Sequence, residues 1–217
     1  MRLFVEELFI MVSGVTTEQD ALMSIGLGAN AVAFDFGPTP QRIGSDDARD
    51  IIHRLPAGTF TVGTFRNEMP QRIVDVTNRL GLHAAQLTGR MTVEEIRYVS
   101  ERVNTVIRSV GPGDSIRTGV EHLVDYFAMP EQDERDALED CLSIFADGDV
   151  ARPIIVSGGL SATNVVEVVQ NYPVFGVDAR SCVESDPATK DPALLGEFIA
   201  NARWAEANAY VTRRLND

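Results

Sequence analysis

Lysine is almost missing from this chain of 217 residues: Lys190 is the only one, and nearly all positive charge is arginine. With 19 basic against 32 acidic residues the formal net charge is −13. That balance repels nucleic acid and anionic membrane surfaces, so neither is expected as a partner. Cysteine is scarce too; Cys141 and Cys182 form no CxxC and cannot make a disulfide framework. The three histidines, His53, His83 and His122, lack an HxxxH spacing, and no metal site is expected. No apolar run reaches the roughly 18 residues that span a membrane. The opening MRLFVEELFIMVSG carries Glu6 and Glu7 inside its apolar stretch, which makes a poor signal peptide, and the expected compartment is the cytoplasm. No linker, charge block or low-complexity segment divides the chain, so residues 1–217 are expected to form a single domain.

What is present is an alternation. Short apolar runs at 8–13, 31–36, 60–65, 84–87, 105–110, 124–129, 153–158 and 175–179 read as strands. Helical stretches fall between them, near 17–27, 46–54, 70–80, 92–102, 115–122, 133–145 and 161–170, with a last helix over 191–208. Thr16 and Thr17, Thr92 and Ser161 stand where helices would start. Such a chain of strand–helix units is an α/β fold, and eight of them fit one closed (β/α)8 TIM barrel. A doubly wound open sheet is the alternative, but it usually carries a glycine fingerprint after its first strand, and SGVTTE is not one.

In a barrel of this type the chemistry sits at the carboxyl ends of the strands. Those positions are Ser13, Asp35 to Pro38, Arg66, Gln86 to Gly89, Arg108, Met129 to Glu131, Ser157 to Gly159 and Asp178 to Cys182. Strand alternation sends Val32, Phe34 and Phe36 toward the helices, and Ala31, Ala33 and Asp35 into the interior. A carboxylate there is costly unless paired or hydrogen-bonded. Asp35 is therefore either an acid/base group or the partner of an arginine, with Arg66 and Arg108 as the nearest candidates. SGGL (157–160) and DARSCVES (178–185) follow the last two strands, where this fold commonly holds phosphate. Gly158 and Gly159 would let backbone amides approach an anion, and Arg180 would aim a fork of donors at it. The alternative is a plain strand–helix turn with an exposed arginine.

MVSGVTTEQDA, LGANAVAFDFGPTPQRI, AAQLTG, PIIVSGGLSATNV and GVDARSCVESDPATKDP together resemble the phosphoribosylanthranilate isomerases of tryptophan biosynthesis, over about residues 9 to 203. The matching family patterns are KICGIT followed by DA, the SPR loop, QLHG, GGL followed by NV, and a strand-8 GVD with a downstream KD. The resemblance implies a (β/α)8 barrel and an Amadori rearrangement of an aminoaldose phosphate to an aminoketose phosphate. It implies a general acid and a general base, with no metal and no organic cofactor. Its ligand would be a small phosphorylated or otherwise anionic metabolite.

The departures fall where that chemistry lies. The base cysteine is Ser13, whose hydroxyl needs a neighbouring base to become useful. The lysine of the same motif is Met11. The acid aspartate aligns with Pro130, leaving Glu131 as a neighbour that either reaches the site or belongs to the acidic stretch after it. The SPR arginine, expected to hold a carboxylate, aligns with Gln41, with Arg42 beside it. The QLHG histidine is Thr88. The phosphate-loop SSG is Arg180, Ser181 and Cys182, so Ser181 keeps a hydroxyl there. Asp178 retains the strand-8 aspartate. Candidate catalytic groups are thus Ser13, Asp35, Glu131 and Asp178, and candidate phosphate ligands are Gly158, Gly159, Arg180 and Ser181. The functional classes that stand are an isomerase with displaced groups, another enzyme on the same barrel, and a non-catalytic partner or binding protein. A homo-oligomer or a biosynthetic subunit is the protein partner to expect.

Overall fold

The computed structural model describes residues 7–110, 126–128, 142 and 152–215. It is an α/β fold built on a curled parallel sheet. The strands are β1 (Phe9–Ser13), β2 (Ala31–Asp35), β3 (Phe60–Arg66), β4 (Ala84–Thr88), β5 (Val106–Ser109), β6 (Tyr126–Ala128), β7 (Ile154–Val156) and β8 (Gly176–Ala179). Pairing runs in chain order, every pair is parallel, and β8 returns to β1 through partners such as Met11 and Asp178. The expected strands lie within a residue or two of these bounds. Two short strands that the apolar pattern did not announce, β9 (Glu184–Asp186) and β10 (Thr189–Lys190), form an antiparallel hairpin after β8.

Helices α1 (Glu18–Gly26), α2 (Ser45–Ile52), α3 (Pro70–Arg79), α4 (Val93–Ser100), α5 (Val165–Asn171) and α6 (Pro192–Leu215) join them. The expected helices at 115–122 and 133–145 lie outside the described residues. Two of the start signals act as such. Thr17 caps α1 by accepting from Asp20 N–H at 3.1 Å, and Thr92 forms a reciprocal capping box with Glu95. Thr16 instead donates to the Ala188 carbonyl at 3.1 Å, which ties the β1 turn to the β9–β10 hairpin. Ser161 does not open a helix directly. It shares a turn with Asn164, which receives Ser161 N–H at 2.6 Å, and α5 begins only at Val165.

Alternation splits the core in two. Ile10, Val12, Val32, Phe34 and Phe36 pack outward against the helices. Phe9, Met11, Ala31, Ala33, Phe60 and Val62 fill the interior. Inside the ring the aromatic side chains collect at the amino-terminal end of the strands. Phe9 lies edge-on to Phe60 at 5.9 Å and stacks on Phe175 at 5.6 Å, and Tyr126 lies 4.9 Å from Phe175. The interior is thereby plugged at the floor, and polar side chains can meet only at the opposite mouth. No helix among the described residues is long and apolar enough to cross a membrane.

Candidate functional site

A small cavity of about 30 Å³ opens at the carboxyl ends of the strands, with Ser13, Asp35 and Asp178 all in its wall. Each is a strand-end residue of a different segment: the last of β1, the last of β2, and the third of β8. All three are buried. Asp35 faces inward, as strand alternation required, and its partner is neither Arg66 nor Arg108. Arg108 reaches the Leu87 and Gly89 carbonyls at 2.9 and 2.6 Å, and Arg66 stands exposed at the rim.

Asp35 is held by Arg180, whose Nη2 lies 3.1 Å from Oδ2. Gly37 N–H donates to Oδ1 at 2.8 Å and the Thr39 hydroxyl to Oδ2 at 2.9 Å. Two neutral donors and one guanidinium thus hold this buried carboxylate. Arg180 Nη2 also donates to Gln41 Oε1 at 3.0 Å, and Gln41 Nε2 donates to Glu184 Oε2 at 3.2 Å. The lone lysine completes the chain: Lys190 Nζ bonds Glu184 Oε1 at 2.8 Å and the Arg180 carbonyl at 3.1 Å. Its side chain is fully buried, an unusual place for lysine that only such pairing permits. Gly14, at φ +71°, makes room for this layer, since a Cβ there would stand 3.0 Å from Gln41 Cγ.

Ser13 is committed. Ser13 Oγ donates to Asp178 Oδ1 at 2.7 Å in a buried contact. Removing that proton would place two negative charges at hydrogen-bond distance, so the hydroxyl stays protonated. Across the cavity the wall is neutral. Gln86 Nε2 donates to Ser109 Oγ at 3.1 Å, and Ser109 pairs with the Thr88 hydroxyl at 3.0 Å. Gln86 Oε1 is buried without a hydrogen-bond partner among the described residues. Thr64, which sits opposite Asp35 in the sheet register, and Ser109 also line the cavity. The sequence did not single out either of them. The signal for Thr64 would have been its register with Asp35 and Gln86, which only strand pairing supplies; Ser109 stands two residues beyond Ile107, the register partner of Gln86.

The phosphate candidates divide. Gly158 lines the cavity and Gly159 follows it, both with positive φ, at 76° and 62°. Arg180 lines it with its guanidinium turned to Asp35. Ser181 is exposed at the start of a 3-10 turn, outside the cavity wall. Arg42 is exposed as well, while its neighbour Gln41 is buried in the layer above. Glu131 and Pro130 lie outside the described residues. Burial pushes the Cys182 thiol up from 9.0 to about 11, which disfavours the thiolate. Among the described residues no group of three His, Cys, Asp or Glu side chains could hold a metal ion.

A family model described as N-(5'phosphoribosyl)anthranilate (PRA) isomerase matches residues 10–201. Over 203 residues the chain is 35% identical to N-(5'-phosphoribosyl)anthranilate isomerase of Thermotoga petrophila, covering 89% of this chain and 98% of that protein. The enzyme of the same name from Rubrobacter xylanophilus is 33% identical over 207 residues, at 89% and 98% coverage. A crystal structure of phosphoribosyl anthranilate isomerase in complex with reduced 1-(o-carboxyphenylamino)-1-deoxyribulose 5-phosphate superposes with a TM-score of 0.78 at 33% identity, over 91% of this chain and 99% of that one.

Proposed function

The chain belongs to the N-(5'-phosphoribosyl)anthranilate isomerase family, and from that premise we propose a single-domain (β/α)8 TIM barrel over residues 1–217 in which the family's Amadori isomerisation is lost or very weak. The carboxyl-end cavity still takes a small phosphorylated or anionic metabolite, without metal or organic cofactor. The observation that carries this reading is the hydrogen bond from Ser13 to Asp178 at 2.7 Å. It turns the base position into a proton donor to a carboxylate. The acid position is Pro130, which has no proton to give. The carboxylate-clamp position is Gln41, already shared between Arg180 and Glu184. General acid or base assistance is worth roughly 10² to 10⁴ in rate per group. Losing both lowers turnover by at least about 10⁴.

Anion binding rests on Gly158, Gly159 and Arg180, with Ser181 as an outer hydroxyl. An anion entering there competes with Asp35 for the Arg180 guanidinium. The test is direct assay of phosphoribosylanthranilate isomerisation by the purified chain, alongside complementation of a tryptophan auxotroph lacking this isomerase. No growth, and turnover more than about 10⁴-fold below a typical enzyme's roughly 10 per second, is the expected result. Growth, or ordinary turnover, overturns it.

A second reading is favoured by one observation. Asp35 and Asp178 share one cavity wall, and Asp178 accepts the Ser13 hydroxyl at 2.7 Å. A different enzyme on the same barrel would use Asp178 as its proton-transferring group, with Asp35 fixed by Arg180 as a structural charge.

A further inference from the structure

On the phosphate-binding reading above, we propose that Arg66 is a ligand-binding residue, and that the metabolite of this cavity carries a second oxyanion, a carboxylate or another phosphate, at the β3 side of the mouth. Among the described residues the cavity wall holds four charged side chains: Asp35, Asp178, Arg66 and Arg180. Three of them are engaged inside the protein. Asp35 is paired with Arg180 at 3.1 Å. Asp178 accepts the Ser13 hydroxyl at 2.7 Å and has further interactions. Arg66 is exposed, and its side chain makes no hydrogen bond or ion pair among the described residues. Its nearest acid in the chain, Glu68, is held by Arg72 at 3.1 Å.

Strand alternation aims this cation at the cavity. Phe60 and Val62 of β3 fill the interior, Thr64 lines the cavity two residues on, and Arg66 is the next inward position, at the lip. The root of its side chain packs against the exit of β2. A Cβ on Gly37, whose N–H holds Asp35, would stand 3.2 Å from Arg66 Cβ. The chain turns away directly after Arg66, because Asn67 adopts φ +50°, a left-handed conformation that asparagine tolerates. Asn67 Oδ1 accepts Arg90 N–H at 2.8 Å, which fixes the β4 exit to the β3 exit. Arg90 is exposed too, with no ion pair among the described residues. A chain of net charge −13 thus sets two free cations on neighbouring strand exits at one edge of its cavity. Positive charge at the lip of a cleft raises the local concentration of anions. A guanidinium fork matches the paired oxygens of a carboxylate or phosphate. In the pairing order β3 stands four strands from β7, which Gly158 follows. The two oxyanions therefore sit on opposite sides of the mouth, and the ligand is extended and charged at both ends.

The probes form two pairs, sorbitol 6-phosphate with 6-phosphogluconate and ribulose 5-phosphate with ribulose 1,5-bisphosphate, titrated calorimetrically into the full chain at fixed ionic strength. Within a pair the carbon chain is the same and only the second oxyanion differs, a carboxylate in the first pair and a phosphate in the second. In at least one pair the doubly anionic probe should bind roughly ten-fold more tightly, as one hydrogen bond to a charged group would give. The pair that shows it identifies the oxyanion. Arg66→Gln should abolish that preference and leave the singly anionic probe unchanged. Arg97→Gln, which makes the same charge change at an exposed position of α4, should leave the preference intact. Equal binding within both pairs by the unsubstituted protein would overturn the proposal and leave phosphate binding standing. A preference that survives Arg66→Gln, or that Arg97→Gln removes as well, would overturn it in the same way. Absence of binding by every probe would overturn both the proposal and the reading beneath it. Arg66 is exposed and unbonded among the described residues, so its variant should fold as the parent does. The comparison within pairs is made on the unsubstituted protein, so a poorly folded variant does not shield the proposal.

Discussion

The two ends of one sheet are built from different chemistry. At the floor, Phe9, Phe60, Phe175 and Tyr126 close the interior with ring contacts of 4.9 to 5.9 Å. Arg203 of α6 seals the outside of that end, donating to the Leu8 carbonyl at 2.7 Å and to Asn30 Oδ1 at 2.8 Å. At the mouth, Asp35, Arg180, Gln41, Glu184 and Lys190 form a chain of charge-assisted bonds across three segments. The floor is nondirectional burial, and its worth grows with area. The mouth depends on each partner being present, because a buried charge left alone costs more than the pair gains. Ser13, Gln41 and Arg180 all stand at the second end.

The largest effects should come from breaking the floor. Phe9→Ala removes a fully buried ring and should cost about 3–5 kcal/mol in denaturant unfolding. Gly176→Ala should be of similar severity, because its new Cβ would meet the Phe9 carbonyl oxygen at 2.3 Å, and backbone cannot step aside. Where either variant still folds, its anion-dependent rise in melting temperature should match the parent's. A loss of that response would mean the two ends are coupled.

Arg180→Ala tests the mouth. It strands the buried Asp35 carboxylate, so about 3 kcal/mol should be lost, with the Gly37 and Thr39 bonds holding the figure down. Asp35→Asn in the same chain should return most of it, which a double-mutant cycle measures. Millimolar phosphate should raise the parent's melting temperature saturably through binding to the native state, and Arg180→Ala should shrink that rise. Chloride at matched ionic strength is the control. An equal, non-saturating response in both proteins would leave the mouth with no anion site.

Ser13→Ala should cost less, about 1 kcal/mol, since it removes one hydrogen bond and leaves Asp178 its other interactions. A cost above about 3 kcal/mol would make Ser13 part of the scaffold.

The smallest effects separate the two ends by pH. At the floor, His83 Nδ1 accepts Thr61 N–H at 3.1 Å and its ring stacks on Phe60 at 5.0 Å. Burial lowers its pKa from 6.5, so its contribution is present above 6.5 and lost as pH falls through the lower folded value. At the mouth, the Cys182 thiol is raised from 9.0 to about 11, so its contribution is present below 9 and lost as pH rises toward 11. His83→Asn should flatten the acid limb of stability against pH, and Cys182→Ala the alkaline limb. Either substitution flattening the opposite limb would break that assignment.

Strand and helix positions were legible because they rest on local periodicity, and β1 to β8 fall within a residue or two of the apolar runs. The inward aim of Asp35 was legible for the same reason, since side chains alternate along any strand. The hairpin of β9 and β10 was not, because five residues of mixed character carry no period. The family could be read from motifs alone. The sequence by itself determined which residue types stand at the strand ends. Tertiary structure alone decided which of them meet. Ser13 and Asp178 are 165 positions apart and Arg180 and Asp35 are 145 apart, and no local pattern links such distances. Closure of the sheet from β8 onto β1 and β2 brings them together. The choice among Arg66, Arg108 and Arg180 as the partner of Asp35 was then settled by reach and by the competing carbonyls that already hold Arg108.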